Sequence, residues 1–235
     1  MRLSLVIPAY NEEKRILPML NSYFSFFKQK LNKNFEIIIV PNNCKDRTEE
    51  ITKNFSKGKS EITIKTIKNK VGKGGAVLSG FKVAKGDFIG FVDADESTAP
   101  EEFYKLFISA QGFEGAIASR RAPGSKIYPR RTFAKELSSR VFNLFTWFLF
   151  GLKYQDTQCG AKVFSKRAVN IILNKVHENN WIFDVAILST LKGKGLKVIE
   201  VPINWRDAEG SKLSFIEQIK SLKDLIKLRF SKSPK

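Results

Sequence analysis

Apolar and polar residues alternate along this chain in blocks that predict strands and helices in turn. The strand-like apolar runs are LSLVIP, FEIIIV, EITIKTI, DFIGFV and FEGAIAS, and helix-like segments at 12–31, 46–56 and 74–85 separate the first four of them. This alternation is typical of a parallel sheet with helices on both faces. We therefore expect an α/β fold with a mostly parallel central sheet flanked by helices.

The most apolar segment, VFNLFTWFLFGL at 141–152, is too short to cross a bilayer as a helix. It has about 12 residues, whereas a spanning helix needs about 20. Such a short run favours a buried helix, and an interfacial segment is the alternative. The N-terminal segment MRLSLVIPAYNE turns polar after a few residues, so we expect no cleaved signal sequence.

The C-terminal segment SFIEQIKSLKDLIKLRF has apolar residues at helical spacing with lysines between them. These apolar residues are Ile216, Ile219, Leu222, Leu225 and Ile226. A basic amphipathic helix of this kind can lie in a membrane interface, or it can pack on its own domain. The sequence shows no repeat and no Pro- or Ser-rich linker. We predict one domain over 1–213 and a C-terminal helix and tail over 214–235.

Composition agrees with a folded domain and adds a strong positive charge. The chain has 235 residues, of which 43% are hydrophobic, and it carries 41 Lys and Arg against 23 Asp and Glu, a formal net charge of +18. This balance suits a polyanionic partner such as nucleic acid, a nucleotide substrate or an anionic membrane surface. Two distant cysteines, Cys44 and Cys159, indicate neither a zinc site nor a disulfide framework, and suit reduced thiols in a cytosolic protein.

Polar residues follow three of the predicted strands directly. PAYNE ends the first strand, PNNCKD ends the second and DADES ends the fourth. In open parallel sheets, ligands bind beyond the carboxyl ends of the strands. We therefore expect these three loops to converge on one site.

Two of these polar residues, Asp93 and Asp95, are carboxylates one position apart at the end of an apolar strand. Together they offer oxygen ligands to a hard divalent cation such as Mg²⁺ or Mn²⁺, which would bridge to a diphosphate. The alternative is a turn or a helix start, with Ser97 or Thr98 as the cap and Pro100 in the first turn.

The stretch NKVGKGGAVLSG is a glycine-rich approach to a predicted helix. Backbone amides at a helix start, together with Lys73, can bind an anion. The GxxxxGK[ST] spacing of a P-loop is absent. Alternatively, these glycines only form a tight connection into the helix and bind no ligand.

Five motifs in order resemble the inverting GT-A glycosyltransferases of family 2. They are VIPAYNE, the Gly-Lys-Gly-Gly-Ala turn, VDAD, DTQCGAKVF and NWRDAEGSKL. The resemblance covers residues 3 to about 213. Within that family the chain resembles the dolichyl-phosphate glucosyltransferase and mannosyltransferase group, and DTQCG with EGSKL favours the glucosyltransferases. The resemblance implies transfer of glucose from UDP-glucose to a polyprenyl phosphate. GDP-mannose as the donor and a glycan or protein as the acceptor are the alternatives.

The resemblance also implies a set of donor-binding residues and a metal site. The nucleotide-sugar-binding residues would be Pro8, Tyr10, Asn11, Glu12, Asn42, Lys73, Asp93, Ala94, Asp95 and Arg120. Mg²⁺ or Mn²⁺ would bind Asp93 and Asp95. The family usually has an Asp pair where this chain has PNN, so the identity of the base is open. The amide oxygen of Asn42 can still accept a hydrogen bond from a base.

A second implied set serves the acceptor and the reaction. Acceptor and phosphate contacts would come from Arg120, Arg131, Asp184, Arg206, Ser211 and Lys212. The catalytic set would be Asp95, Asp156, Gln158, Arg131 and Lys212. A phosphate acceptor is already ionised near neutral pH, so positioning is the role that we prefer for Asp156. Solvated basic loops and helix capping are the alternative explanations for these residues.

The implied acceptor is a membrane lipid, so we expect peripheral membrane contact at the cytoplasmic face. Related proteins often carry C-terminal membrane helices and this sequence has none, which leaves basic loops and apolar helices, or another subunit, to provide the contact. A basic module that binds nucleic acid is the distant alternative. In such a module, aromatic residues would alternate with Lys and Arg on a stacking surface, whereas the aromatic residues of this chain lie mainly in apolar runs. We therefore expect no nucleic-acid partner.

Overall fold

The computed structural model describes residues 1–129, 133–206 and 215–230. The strands are β1 (Leu3–Ala9), β2 (Phe35–Pro41), β3 (Ile62–Ile64), β4 (Phe88–Val92), β5 (Gly115–Ser119), β6 (Lys126–Tyr128), β7 (Ala161–Ser165), β8 (Val198–Pro202) and β9 (Asn204–Arg206). The helices are α1 (Ile16–Leu31), α2 (Thr48–Ser56), α3 (Gly72–Phe81), α4 (Pro100–Ser109), α5 (Phe133–Phe150), α6 (Lys166–Lys175), α7 (Phe183–Gly193) and α8 (Phe215–Phe230).

The central sheet has the strand order β3-β2-β1-β4-β7-β5-β8. Its neighbours are parallel except for β7, which runs antiparallel to both β4 and β5. All residues of β2, β4 and β5 are buried, which explains why their sequences are continuous apolar runs rather than alternating ones. The predicted α/β fold with a mostly parallel sheet is confirmed.

Apolar side chains pack on both faces of this sheet, because successive residues of a strand point to opposite sides. Leu5 faces a cluster that includes Tyr23 of α1 and Phe103 of α4. The next residue, Val6, faces a second cluster that contains residues of α3, α6 and α7, with Val77 among them. Helices therefore cover both faces, and the carboxyl edge of the sheet is left to the loops.

A small second sheet pairs β6 with β9 in parallel, and the sequence patterns did not predict it. β9 lies at the start of the motif NWRDAEGSKL. The ribbon is joined to the loop after β4, since the backbone N–H of Arg206 donates to the carbonyl of Ser97 at 2.9 Å. Three-residue strands lack a periodic signal, so only the pairing reveals them.

The structure corrects the interpretation of 141–152 as a buried helix. Phe142 and Leu152 are buried, but the outward face of α5 is exposed, with Leu144 at 60% and Phe148 at 78%. Among the helices that the structure describes, none is long and apolar enough to cross a membrane. The exposed apolar face therefore remains to be explained.

The predicted C-terminal helix is present as α8 and packs against α5. Leu225 is fully buried, whereas the next residue, Ile226, is 47% exposed. The packing makes α8 part of the layer that covers one face of the sheet. The division between 1–213 and 214–235 stays a prediction.

Candidate active site

The loops after β1 and β2 are joined by hydrogen bonds. The side-chain oxygen of Asn11 accepts from the backbone N–H of Lys45 at 2.8 Å, and the backbone N–H of Glu12 donates to Thr48 Oγ1 at 2.7 Å. Asn11 has a φ of 54°, a left-handed conformation that asparagine tolerates better than most residues. The expected convergence of these two loops is confirmed.

The remaining predicted donor residues of the first loop lie beside these contacts. The carboxylate of Glu12 accepts a hydrogen bond from Arg15 Nε at 2.8 Å. Tyr10 is 37% exposed, and the ammonium of Lys70 lies 5.8 Å from the centre of its ring. Pro8 is half-buried near the end of β1. All of them lie at the carboxyl edge of the sheet.

Asn42 connects the second loop to the glycine-rich turn. Its amide oxygen accepts from the backbone N–H of Val71, and its amide nitrogen donates to the carbonyl of Gly72, both at 3.1 Å. An amide oxygen has two lone pairs, so one remains for a ligand. Asn42 thus holds the turn in place, and its contact with a base stays a prediction.

The glycines of this turn allow α3 to begin against the segment that leads into α7. A Cβ atom at Gly72, where φ is 68°, would overlap the carbonyl oxygen of Asn179, and one at Gly74 would lie 2.7 Å from Phe183 Cβ. The glycines therefore have a packing role. The same close approach fixes the position of the residue between them, Lys73.

Lys73 forms an ion pair with the first carboxylate of the DxD motif, at 2.5 Å between its Nζ and Asp93 Oδ1. The ammonium also lies 5.8 to 5.9 Å from the ring centres of Phe91, Trp181 and Phe183. Burial on its own would lower the pKa of Lys73, but the charge of Asp93 raises it above its ordinary value. The lysine is therefore a positive charge held at the carboxyl edge of the sheet.

Both DxD carboxylates are partly exposed, and a glycine lies against the first of them. The side chain of Asp93 is 34% exposed, and a Cβ atom at Gly160 would overlap its Oδ2. Asp95 Oδ1 accepts from the backbone N–H of Ser97 at 3.0 Å, so the expected turn is confirmed. The expected cap at Ser97 or Thr98 is wrong, because α4 begins after Ala99, although Pro100 is in its first turn.

This arrangement fits a divalent cation shared with a substrate. In the described part of the chain, no group of three or more His, Cys, Asp or Glu residues is placed to hold a metal ion. Mg²⁺ is usually bound by one or two carboxylates together with substrate phosphates, rather than by a complete protein cage. Asp93 and Asp95 supply that number of carboxylates, and the missing side chain of Gly160 makes room for the carboxylate of Asp93.

Arg120 and Asp156 form a buried, two-pronged ion pair. Arg120 donates from Nε to Asp156 Oδ2 at 2.6 Å and from NH2 to Oδ1 at 2.8 Å. The guanidinium also lies 5.1 Å from the ring centre of Trp205. Burial would raise the pKa of Asp156, but Arg120 holds it below its ordinary value. Arg120 has five N–H donors, so others remain for a phosphate.

The loop that carries Asp156 is fastened from two sides. The carboxylate of Glu200 on β8 accepts from the backbone N–H groups of Gln155 and Asp156, at 2.9 and 2.8 Å. On the other side, Asn143 of α5 donates to the carbonyl of Gln155 and accepts from the hydroxyl of Thr157, each at 2.8 Å. Our sequence analysis did not identify Glu200 or Asn143, because single polar residues in apolar elements become informative only when their partners are known.

Asp184 lies in a buried ion pair, not on the surface. Its carboxylate accepts from Lys162 Nζ at 2.6 Å, and the exposed fractions of the two side chains are 3% and 0%. The same ammonium donates to the carbonyl of Cys159 at 2.7 Å. Lys162 was missed in the sequence, although a lysine inside the apolar strand AKVFS is a recognisable signal for a buried partner. Cys159 is buried, as a packing residue should be, and burial raises its pKa to about 12.

The other predicted site residues lie at varied positions. Gln158 is half-buried, Ala94 is buried in the apolar cluster below the loop, and Arg206 is exposed at the end of β9. Arg131, Ser211 and Lys212 lie outside the described residues. The structure thus brings together the first two loops, the glycine turn and the DxD motif. Trp205, whose ring lies against Arg120, forms a β-bridge with Thr98 in the loop that carries the DxD motif.

A Rossmann-like sheet with a DxD motif at its carboxyl edge defines a class of nucleotide-sugar-dependent transferases, and the family model for glycosyl transferase family 2 matches residues 4–172. The chain therefore belongs to glycosyl transferase family 2 and is a glycosyltransferase. It is similar to the dolichyl-phosphate beta-glucosyltransferase of Saccharomyces cerevisiae, with 34% identity over 97% of this chain and 74% of the yeast protein. The Homo sapiens protein of the same name is 29% identical over 97% of this chain and 75% of its own length.

Solved structures confirm the expected GT-A fold. Glucosyl-3-phosphoglycerate synthase from Mycobacterium tuberculosis, in complex with Mn²⁺, uridine-diphosphate-glucose and phosphoglyceric acid, matches with a TM-score of 0.70 at 17% identity. The match covers 97% of this chain and 79% of the synthase. The same synthase with Mg²⁺ and uridine diphosphate matches with the same TM-score. At this identity the likeness concerns the fold alone.

Proposed function

We propose that this glycosyltransferase moves glucose from UDP-glucose to a polyprenyl phosphate such as dolichyl phosphate. The observation that carries the proposal is the placement of Asp93, Asp95, Lys73 and Arg120 at one edge of the sheet. This group suits a diphosphate leaving group beside a phosphate acceptor. The yeast and human relatives, named dolichyl-phosphate beta-glucosyltransferases, support the choice of sugar and acceptor, and the Mycobacterium tuberculosis complex with uridine-diphosphate-glucose supports the choice of donor.

The donor would bind across the joined loops. Tyr10, Asn11 and Glu12 after β1 and Asn42 after β2 would contact the nucleoside, and Ala94 would contact it from the DxD loop. Asp93 and Asp95 would hold Mg²⁺ or Mn²⁺, which supplies positive charge to the diphosphate oxygens when it is bound. Lys73, paired with Asp93 in the structure, would add a second positive charge.

The reaction would be one in-line displacement with inversion at the sugar. An oxygen of the acceptor phosphate forms the new bond to the anomeric carbon, the bond from that carbon to the diphosphate oxygen breaks, and its electron pair leaves with UDP. The acceptor phosphate is ionised near neutral pH, so no general base is required. Lys73 and Arg120 would offset the charge that grows on the leaving group. The product would be a β-linked lipid-phosphate glucose.

Asp156 would act through Arg120 in this scheme. Its two hydrogen bonds to the guanidinium fix the direction of the remaining donors, and Trp205 covers the group on one side. The other acceptor contacts that we propose are Gln158 and Arg206, together with Arg131, Ser211 and Lys212. Asp184, predicted as a further contact, would instead act from the protein interior through its ion pair with Lys162.

The acceptor lipid would place the enzyme at a membrane. We propose peripheral contact at the cytoplasmic face, where nucleotide sugars are available to a cytosolic active site. The net charge of +18 suits an anionic leaflet.

The test is nucleotide release from UDP-glucose and GDP-mannose, with Mg²⁺ or Mn²⁺, with and without polyprenyl phosphate. We expect lipid-dependent UDP release from UDP-glucose, reduced by at least about a hundredfold in Asp95→Asn. The matched control is Asp87→Asn, the same change at an exposed carboxylate beside the opposite end of β4. A preference for GDP-mannose would replace the proposed donor, and the absence of turnover with every donor and lipid would overturn the acceptor. Full activity of Asp95→Asn would exclude the metal role.

A further inference from the structure

The outward face of α5 is an apolar stripe that no described part of the chain covers. Its members recur at the spacing of one helix face. They are Leu137, Val141, Leu144, Phe145 and Phe148, with exposed fractions of 38 to 78%. Trp147, 49% exposed, lies beside the stripe. Large apolar patches on a protein surface generally mark a site of contact with another protein or a membrane.

The inward face of α5 is tied to the active-site loops. Asn143 is bonded to the loop that carries Asp156, and Glu136 near the start of the helix accepts from Arg121 Nε at 3.1 Å. Arg121 follows Arg120 directly. Whatever binds the outward face of α5 is therefore one helix diameter away from the proposed acceptor site, a distance of about 10 Å.

Positive charge lies on the elements next to the stripe. The exposed basic residues on α5, just after it and on the adjacent helix α8 are Arg140, Lys153, Lys223, Lys227 and Arg229. Among the described side chains of these two helices, the acids are Glu136, paired with Arg121 and Arg140, and Asp224, which accepts a hydrogen bond from Asn180. The acids are thus engaged within the protein, and the outward charge is positive.

We propose that the outward face of α5 inserts into the interface of an anionic lipid bilayer. An apolar stripe with a cationic border is the pattern of a helix that lies in a membrane interface. A second copy of this chain would bring the same positive border and the same net charge of +18, which disfavours a symmetric dimer through this face. The inference rests on the proposed function, because docking would bring Arg120 and its loop to the depth at which the phosphate of a polyprenyl lipid lies.

The test is flotation of the full chain with phosphatidylcholine vesicles, with and without phosphatidylserine. We expect the wild-type chain to bind the vesicles that contain phosphatidylserine. The double variant Leu144→Gln/Phe148→Gln should have a partition coefficient at least about tenfold lower than that of the wild type. The matched control is Leu17→Gln/Ile108→Gln, whose residues are 42% and 44% exposed on α1 and α4, across the sheet from α5. Equal partition of the two double variants would overturn the proposal.

Two further measurements separate this inference from the proposed function. The α5 double variant should keep its transfer to a short-chain prenyl phosphate in detergent, since the reaction needs no membrane there. Vesicle binding without transfer to any acceptor would refute the proposed function and leave the docking surface intact. Transfer without vesicle binding would refute the docking surface and leave the proposed function intact. Light scattering is the second measurement. If the wild-type chain is a dimer that does not bind vesicles, and only the α5 double variant is a monomer, the face contacts a second copy and the membrane proposal is refuted.

Discussion

At the scale of single residues, burial separates the acids of the site into two groups. Asp156 and Asp184 are 0% and 2% exposed, and each is paired with a cation. Asp93 and Asp95 are partly exposed at the end of β4. A buried carboxylate whose oxygens are bonded to the protein has few lone pairs left for a substrate. We therefore expect the first group to position cations and the second to meet the metal and the donor.

Asp156→Asn should lower the free energy of unfolding by about 3 kcal/mol at neutral pH, because it leaves Arg120 buried without a charge partner. The pKa of Asp156 is lowered in the folded state, so its stabilisation is present above the unfolded value of about 3.9 and is lost as the pH falls through the folded value. In denaturant titrations, the difference in unfolding free energy between the wild type and Asp156→Asn should become smaller as the pH falls from neutral to acidic. Asp87→Asn is the control, and a difference independent of pH would contradict the assignment.

At the scale of elements, the reversed strand β7 organises the site. It inserts between β4 and β5, and the turn before it brings Gly160 beside Asp93 and Asp156 beside Arg120. Lys162 in the middle of β7 then bonds to Asp184 in the first turn of α7. One buried ion pair thus links the strand to the helix whose start packs against the glycine turn of α3.

A double-mutant cycle tests this link between β7 and α7. Lys162→Met and Asp184→Leu should each cost about 3 to 5 kcal/mol of unfolding free energy, since each leaves one buried charge unpaired. The double variant should recover much of that loss, because two apolar side chains replace the pair. The free energies come from denaturant unfolding. Additive losses in the double variant would show that the two residues do not stabilise each other.

At the scale of the whole molecule, the sheet, its two helical layers and α8 form connected apolar clusters. α8 contributes the fully buried Leu225 to the cluster that contains α3, α6 and α7. The packing suggests that α8 unfolds with the rest of the chain rather than as a separate segment. The outward face of α5 next to it gives the molecule one apolar side.

Leu225→Ala should therefore destabilise the entire protein. We expect a loss of about 2 to 5 kcal/mol and a single transition with a lower midpoint in a thermal melt, because a buried leucine leaves a cavity when it is shortened. Ile226→Ala is the matched control, since the neighbouring side chain is 47% exposed. Equal midpoints for the two variants would show that α8 does not contribute to the stability of the rest of the chain. That result would agree with the predicted division between residues 1–213 and 214–235.

Local patterns were sufficient for much of the fold. Apolar runs identified β1 to β5, and those of β2, β4 and β5 are continuous because these strands are buried on both faces. The positions of PAYNE, PNNCKD and DADES after three of these strands indicated the edge where the site lies, because parallel strands share one carboxyl edge. The motifs also resembled the family to which the chain belongs.

The tertiary structure decided the features that depend on distant partners. The ribbon of β6 and β9 joins segments about 80 residues apart in sequence, and neither strand has a pattern of its own. The ion pairs of Lys162 and Arg120 depend on which carboxylate the fold brings near. Both sides of α5 carry large apolar residues, and only the packing shows which side is buried. Sequence by itself determined the first five strands, the order of the motifs and the class of chemistry, because these depend on local pattern, whereas burial and pairing depend on contacts between distant segments.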